Sequence, residues 1–301
     1  MYQRITKEFL FKVYKKREKW AHKGQFGRLV AICGSYRYTG SSIFVGLAAY
    51  RAGCDLVFLI GPKRAMDTAA SYSPLLITEP INCEYLEPKF AEKVLDFINE
   101  VKATSVVIGN GLGKREETKS AVLKIIKEIN LPMVIDADAI SAIPLDKSSI
   151  YKKQVIITPH DKEFFYLTNK KITRENLEER IKVAREEACK INCNDGNLEC
   201  PLNPPITLLV KGNIDIITNG KLTFLNHTGS PKMTVGGTGD TLAGICGAFL
   251  ARGSNSLDAA CAAAFLNGEA GQIASEQFSE SMTPLELIEK ISYVLKNNLI
   301  I

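Results

Sequence analysis

Short, almost continuously apolar runs alternate along this chain with longer stretches in which apolar residues recur every three or four positions. The runs RLVAIC (28–33), LVFLI (56–60), SVVIG (105–109), PMVIDAD (132–138) and QVIITPH (154–160) predict strands. The stretches 42–52, 88–102 and 116–130 predict helices between them. Strands apolar on both sides are buried on both faces, and crossover-length connections join parallel neighbours. The pattern therefore predicts an α/β fold with a mostly parallel central sheet flanked by helices on both faces. After residue 203 the pattern changes. ITLLVKG (206–212), IDIIT (214–218) and KLTFL (221–225) follow in close succession, with Asn219-Gly220 as a hairpin turn. An antiparallel edge is expected in this C-terminal third, followed by helices over 239–252, 257–276 and 284–298.

Composition narrows the classes further. A chain of 301 residues that is 46% hydrophobic folds around a core rather than staying disordered. Its most apolar helical stretches, 242–251 and 259–266, end at Arg252 and Asn267. They fall short of the ~20 residues a bilayer needs, so no membrane partner is expected. Thirty-eight Lys and Arg against 33 Asp and Glu leave a net charge of +5 without a basic stripe, so no nucleic-acid partner is expected either. The densest basic stretch carries Lys15, Lys16, Arg17 and Lys19, interleaved with Phe9, Leu10, Val13 and Tyr14. It reads as an N-terminal amphipathic helical extension (1–22) ahead of a single domain (23–301).

The opening residues MYQRITKEF lack the apolar core and cleavage site of a signal peptide, and Cys33, Cys54, Cys246 and Cys261 sit in apolar runs as small hydrophobes. A cytoplasmic protein is the expectation. Cys189, Cys193 and Cys200 cluster without the paired spacing of a zinc site and read as incidental thiols in a loop.

The sharpest chemical motif is MTVGGTGDTLAGICGAFLARG (233–253). Glycines around Thr238 bring several backbone N–H groups to one point, and a helix starting there adds positive potential suited to phosphate. Asp240 in the same turn would repel phosphate, and makes sense as a base that takes the proton of an attacking hydroxyl. Gly237, Thr238 and Gly239 then form the anion hole for the transferring phosphoryl group. The alternative is a tight turn with a dipole-favoured carboxylate. Neither a Walker A loop nor a dinucleotide fingerprint is present.

Four further motifs fall at strand ends. ITPHDKEF (157–164) leaves His160 and Glu163 at a rim, where Glu163 can hold water around magnesium; a plain helix start is the other reading. LLVKGNIDII (208–217) places Lys211 beside exposed backbone, suited to a nucleotide, or an ordinary hairpin corner. GSYRYTGSS (34–42) and VIGNGLGK (107–114) are glycine-rich turns, and DADA (136–139) adds a carboxylate pair. Together they outline an extended cleft for a phosphorylated ligand at one sheet edge.

The order GSYRYTG, IGNGLG, DADA, ITPHDKEF, VKGNIDI and MTVGGTGDTLAG resembles the NAD(P)H-hydrate dehydratases, ribokinase-like relatives of carbohydrate kinases, from about residue 23 to 291. The resemblance implies repair of hydrated NADH or NADPH (the S epimer). Phosphorylation of the ring hydroxyl by ADP, or ATP, with Mg2+ precedes elimination of phosphate. Carried over by position, the hydrated dinucleotide contacts Ser41, Gly111, His160 and Asp240, the last as catalytic base. The adenine nucleotide lies along Lys211, Gly212, Asn213, Ile214 and Asp215, with Gly239 beneath its phosphate.

This sequence departs from the family in three places: Ser41 stands where alanine is usual, Asn110 replaces the proline of G-P-G, and Asp215 stands where threonine is common. The resemblance also implies a homo-oligomer. Only about two dozen residues precede the first motif, so the epimerase often fused ahead of it is expected to be a separate, functionally linked protein or absent. A kinase of a small hydroxylated metabolite would share Asp240 and its glycines but leave a stable phosphorylated product. A silent dinucleotide-binding protein would need no base at the phosphate loop.

Overall fold

The computed structural model describes residues 2–173, 175–193 and 205–299. Its first half runs β1 (Gln3–Arg4), α1 (Glu8–Val13), β2 (Arg28–Ile32), α2 (Gly40–Arg51), β3 (Leu56–Pro62), α3 (Lys63–Tyr72), β4 (Ile77–Ile81), α4 (Ala91–Glu100), β5 (Ser105–Ile108) and α5 (Glu116–Glu128). Then follow β6 (Met133–Ile135), β7 (Val155–Ile157), α6 (Asp161–Thr168), α7 (Leu177–Asn192), β8 (Ile206–Val210), β9 (Asp215–Thr218) and β10 (Thr223–Asn226). The helices α8 (Thr238–Ala251), α9 (Ser256–Phe278) and α10 (Pro284–Asn298) complete it.

All strands lie in one sheet of order β1-β10-β9-β8-β7-β6-β5-β2-β3-β4. From β4 to β8 every neighbouring pair is parallel. The expected antiparallel edge is β9 against β8 and β10 against β9. Side chains alternate faces along each strand, and this sorts the core into two layers. Leu29 and Ala31 of β2 join the layer built with α2, α8, α9 and α10. Val30 and Ile32 join the layer built with α4, α5, α6 and α7.

The order of connection places the site. The chain runs outward from β2 through β3 to β4, then returns to β5 on the other side of β2. A crevice opens beyond the carboxyl ends where the direction reverses, here between β2 and β5. Helix α8 is seated close by because two of its residues lack side chains. A Cβ on Gly244 would lie 2.3 Å from the Val45 carbonyl oxygen, and one on Gly247 would lie 2.4 Å from Val107 Cγ2. The runs 132–138 and 154–160 are strand only at Met133–Ile135 and Val155–Ile157, so their polar tails leave the sheet at this edge.

Some of the structure departs from the sequence pattern. The edge strand β4, ITEPI, was hidden by Pro80, which an edge tolerates because one side of its backbone needs no partner. Helices α3 and α7 carry few large apolar residues, so the apolar pattern does not reveal them. The N-terminal helix expected across the basic stretch spans only Glu8–Val13. At Tyr14 the backbone is extended, since its hydroxyl donates to the Ala52 carbonyl at 2.9 Å and its ring meets Phe249 edge-on at 5.5 Å. Arg17 pairs with Asp55 at 2.9 Å, so contacts with the body prevail over helical periodicity. Ahead of α1, β1 lies parallel to β10, and Phe9 packs edge-on against Phe224 at 5.1 Å.

Cys189 and Cys193 close α7 with their sulfur atoms 3.7 Å apart, while Cys200 lies outside the described residues. Among the described residues, no helix is long and apolar enough to cross a membrane.

Candidate active site

The loop between β10 and α8 reaches the crevice with Asp240 in the first turn of the helix. The first backbone bond of α8 runs from Thr241 N–H to the Gly237 carbonyl at 3.0 Å. The N–H groups of Gly237, Thr238, Gly239 and Asp240 therefore have no helical acceptor and give this end its positive potential. The Thr238 hydroxyl is committed elsewhere. It donates to the carbonyls of Met233 at 2.9 Å and Val235 at 3.1 Å, so Thr238 offers an incoming anion its amide only.

Asp240 Oδ1 accepts from Asn110 Nδ2 at 2.7 Å, and the Ser41 hydroxyl also hydrogen-bonds this carboxylate. Burial pushes the Asp240 carboxyl up to about 6. Asn110 opposes that shift, the Asp136 charge adds to it, and Ser41 and Lys211 oppose it again. The Asn110 amide also donates to Asp136 Oδ2 at 2.8 Å, from a fully buried position in which its own Oδ1 has no partner. Gly111 sits directly beside Ser41: a Cβ there would come within 2.9 Å of Ser41 Oγ.

Asp136, buried at the end of β6, ties this group to the next strands. Its Oδ1 accepts from Thr158 Oγ1 at 2.6 Å and from Lys211 Nζ at 3.0 Å. Burial disfavours the Lys211 ammonium, but Asp136, Glu163 and Asp240 outweigh that and hold its pKa above the usual lysine value. The ammonium lies 3.6 Å from where a Gly239 Cβ would stand, directly over the phosphate turn, and 3.6 Å from Glu163 Oε2.

His160 and Glu163 form the capping box of α6. His160 Nδ1 accepts from the N–H groups of Lys162 and Glu163 at 3.1 and 3.2 Å, and Glu163 Oε2 accepts from His160 N–H at 2.9 Å. His160 Nε2 lies 3.3 Å from Glu163 Oε1, with half of its side chain exposed. Among the described residues no three His, Cys, Asp or Glu side chains converge as a metal cage. Glu163 is the carboxylate beside the phosphate turn that could face a magnesium ion carried by phosphates.

The structure thus links Ser41, Gly111, Asp240, Gly239, Lys211, Glu163 and His160 in one continuous network. The turn 211–215 sits at its flank. Gly212 and Asn213 are exposed, and Ile214 is half-buried. The Asp215 carboxylate is held within the turn. It accepts from Gly212 N–H at 3.0 Å and Asn226 Nδ2 at 3.1 Å and closes its own turn, and burial raises its pKa.

Sequence reasoning missed three supports. Asn110 stood out only as a departure from family pattern, and Asp136 only as half of a carboxylate pair. Arg180, buried in α7, gave no signal at all. Its guanidinium donates to the carbonyls of Lys211 at 2.7 Å and Ile214 at 3.2 Å and holds the turn from below. A Cβ on Gly212 would fall 2.3 Å from that guanidinium.

A family model described as NAD(P)H-hydrate dehydratase matches residues 29–293. The chain is 39% identical over 281 residues to the bifunctional NAD(P)H-hydrate repair enzyme of Hyperthermus butylicus, covering 92% of this chain and 50% of that protein. It is 34% identical over 293 residues to the ADP-dependent (S)-NAD(P)H-hydrate dehydratase of Nitrosopumilus maritimus, covering 97% and 96%. The chain spans about half the length of the bifunctional relative and nearly all of the second. A solved ADP/ATP-dependent NAD(P)H-hydrate dehydratase from Bacillus subtilis, co-crystallized with ATP and Mg2+, superposes with a TM-score of 0.78 at 23% identity over 99% of both chains, a likeness of fold.

Proposed function

We propose that this chain, which belongs to the NAD(P)H-hydrate dehydratase family, dehydrates the S epimer of hydrated NADH or NADPH at the expense of ADP or ATP. The observation that carries the reading is the placement of Asp240. A carboxylate with a pKa of about 6 stands at a helix N-terminus, between the amides of the phosphate turn and the Ser41–Gly111 wall.

Asp240 takes the proton of the ring hydroxyl, whose oxygen then attacks the terminal phosphorus of the nucleotide. The bond from that phosphorus to the bridging oxygen breaks, and the nucleotide leaves one phosphate shorter. The amides of Gly237, Thr238 and Gly239, with the Lys211 ammonium, hold the charge on the phosphoryl oxygens. Magnesium, when bound with the nucleotide, neutralises charge between its phosphates. The C–O bond to the new phosphate then breaks as the ring nitrogen supplies its electron pair, and inorganic phosphate leaves. The neighbouring carbon gives up a proton to that phosphate or to water to complete the ring double bond. His160, exposed at its helix cap, bounds the ring, and the turn 211–215 lies under the adenine nucleotide.

ADP is the donor we favour, because the relative from Nitrosopumilus maritimus, matched over nearly its full length, is named ADP-dependent. A homo-oligomeric cytoplasmic enzyme served by a separate epimerase belongs to the same reading. The test mixes protein, magnesium and hydrated NADH with ADP, ATP or no nucleotide and follows the return of reduced-nicotinamide absorbance. Recovery with one nucleotide, lost in Asp240→Asn, is expected. A stable phosphorylated product without recovery would instead mark a kinase.

A further inference from the structure

The wall formed by Ser41 and Gly111 continues away from Asp240 into a surface that the chemistry above leaves unused. A Cβ on Gly111 would also meet Tyr38 Cβ at 3.0 Å, and Tyr38 caps the turn that carries Tyr36. The Tyr36 N–H donates to the Glu84 carbonyl at 2.8 Å, so the turn after β2 is fastened to the loop after β4. Tyr85, next in that loop, lies against Gly113. The two glycine-rich turns are therefore bordered by three tyrosines.

Two of the tyrosines carry arginines. The Arg64 guanidinium lies 4.3 Å from the Tyr36 ring centroid, and the Arg115 guanidinium 3.6 Å from that of Tyr85. Both arginines are exposed, and among the described residues neither is in an ion pair. Of the carboxylates nearby, Asp67 pairs with Lys63, Asp138 accepts from Gly113 N–H and lies 3.9 Å from Lys114, and Glu84 is exposed at the groove beside Arg64. Beside Arg64 opens a groove of about 690 Å³, lined by Lys63, Arg64, Thr68 and Asn82 together with the carboxylates of Asp67 and Glu84. That volume accommodates a nucleoside. Stacking holds each guanidinium flat and pre-oriented, which suits it to phosphate and lowers the entropy cost of binding.

We propose that this rim and groove form the subsite for the adenylyl half of the hydrated dinucleotide, and that Arg64 and Arg115 select the form bearing a 2′-phosphate. The inference rests on the dehydratase reading for the identity of the substrate. On that reading the nicotinamide end lies at Asp240 and the adenine nucleotide co-substrate over Lys211, which directs the rest of the dinucleotide past Gly111 and Gly113. Two guanidiniums outside any ion pair among the described residues, each set over a tyrosine ring, are matched by the additional phosphate.

The test uses 2′-phospho-ADP-ribose and ADP-ribose, which lack the reacting ring, measured by calorimetry with saturating adenine nucleotide and magnesium to fill the co-substrate site. The 2′-phosphorylated probe should bind about tenfold tighter, lose that advantage in Arg64→Ala/Arg115→Ala, and weaken with salt. In turnover, the same variant should raise KM for hydrated NADPH by about tenfold and by much less for hydrated NADH, with KM moving more than kcat. Equal affinity for the two probes overturns the selectivity. Binding of both probes unchanged in the double variant overturns the subsite. Normal probe binding without any turnover would leave the subsite standing and count against the dehydratase reading instead.

Discussion

Asn110 Nδ2 lies 2.7 Å from Oδ1 of Asp240, and it is a neutral donor in a place where a cation would have quenched the base. A lysine so close would hold the carboxylate far below the working pH range and leave it a weak proton acceptor. The amide instead orients the carboxylate and lets burial keep it basic, at about 6. As a base, Asp240 acts only when deprotonated. The value of kcat/KM for the hydrated dinucleotide should therefore fall as pH drops through about 6 and level off above about 7. A profile flat from pH 5 to 8 in steady-state assays would remove Asp240 from the base role.

Removing the Asn110 amide deletes the largest hydrogen bond opposing the upward shift of Asp240. In Asn110→Ala the acidic limb should move to higher pH. Activity near pH 6.5 should fall by roughly 3- to 10-fold, with the deficit narrowing at pH 8.5. Parallel profiles of wild type and variant check this. A uniform loss at every pH would mean that Asn110 only supports the fold.

The same carboxylate trades stability for activity. Its folded-state pKa, about 6, lies above the ordinary 3.8, so between those values the folded protein binds the extra proton. The contribution is complete below about pH 4 and is lost as pH rises through about 6. Asp240→Asn keeps an acceptor for Asn110 without the buried charge. It should be more stable than wild type by roughly 1–3 kcal/mol at pH 8, and equal to it near pH 4, in denaturant unfolding. Its turnover should fall by about 10²-fold or more.

How much of this was legible in the chain follows from the range of each interaction. The strands β2, β3, β5, β6, β7 and β8 read directly because burial on both faces writes continuous apolar runs, and the phosphate turn read because glycines and Asp240 are adjacent in sequence. Asn110 and Asp240 stand 130 residues apart, and only the sheet order and the close seating of α8 bring them together. Lys211 read correctly as a cation at a strand end. Its pairing with Asp136, 75 residues earlier, depends on the adjacency of β6, β7 and β8, which no local pattern encodes. Arg180 looks like any charged residue of an amphipathic helix until α7 is packed beneath the turn it supports.

The glycine before Asn110 offers a way to separate backbone conformation from close approach. Gly109 has φ of +130°, and a Cβ there would stand 1.8 Å from the Asp136 carbonyl oxygen and 2.8 Å from Ala139 Cβ. Gly253, at the end of α8, has φ of +87° with nothing within 4 Å of the same position. Gly253→Ala therefore meets only the cost of a left-handed backbone, about 1 kcal/mol. Gly109→Ala meets that cost and must also drive the β5 and β6 ends apart, displacing Asp136 from Asn110. It should lose upwards of about 3 kcal/mol in urea unfolding, with turnover reduced even in the fraction that remains folded. Equal stability losses in the two variants would show that β5 and β6 yield easily, and that the Asn110–Asp136–Asp240 geometry does not depend on their close approach.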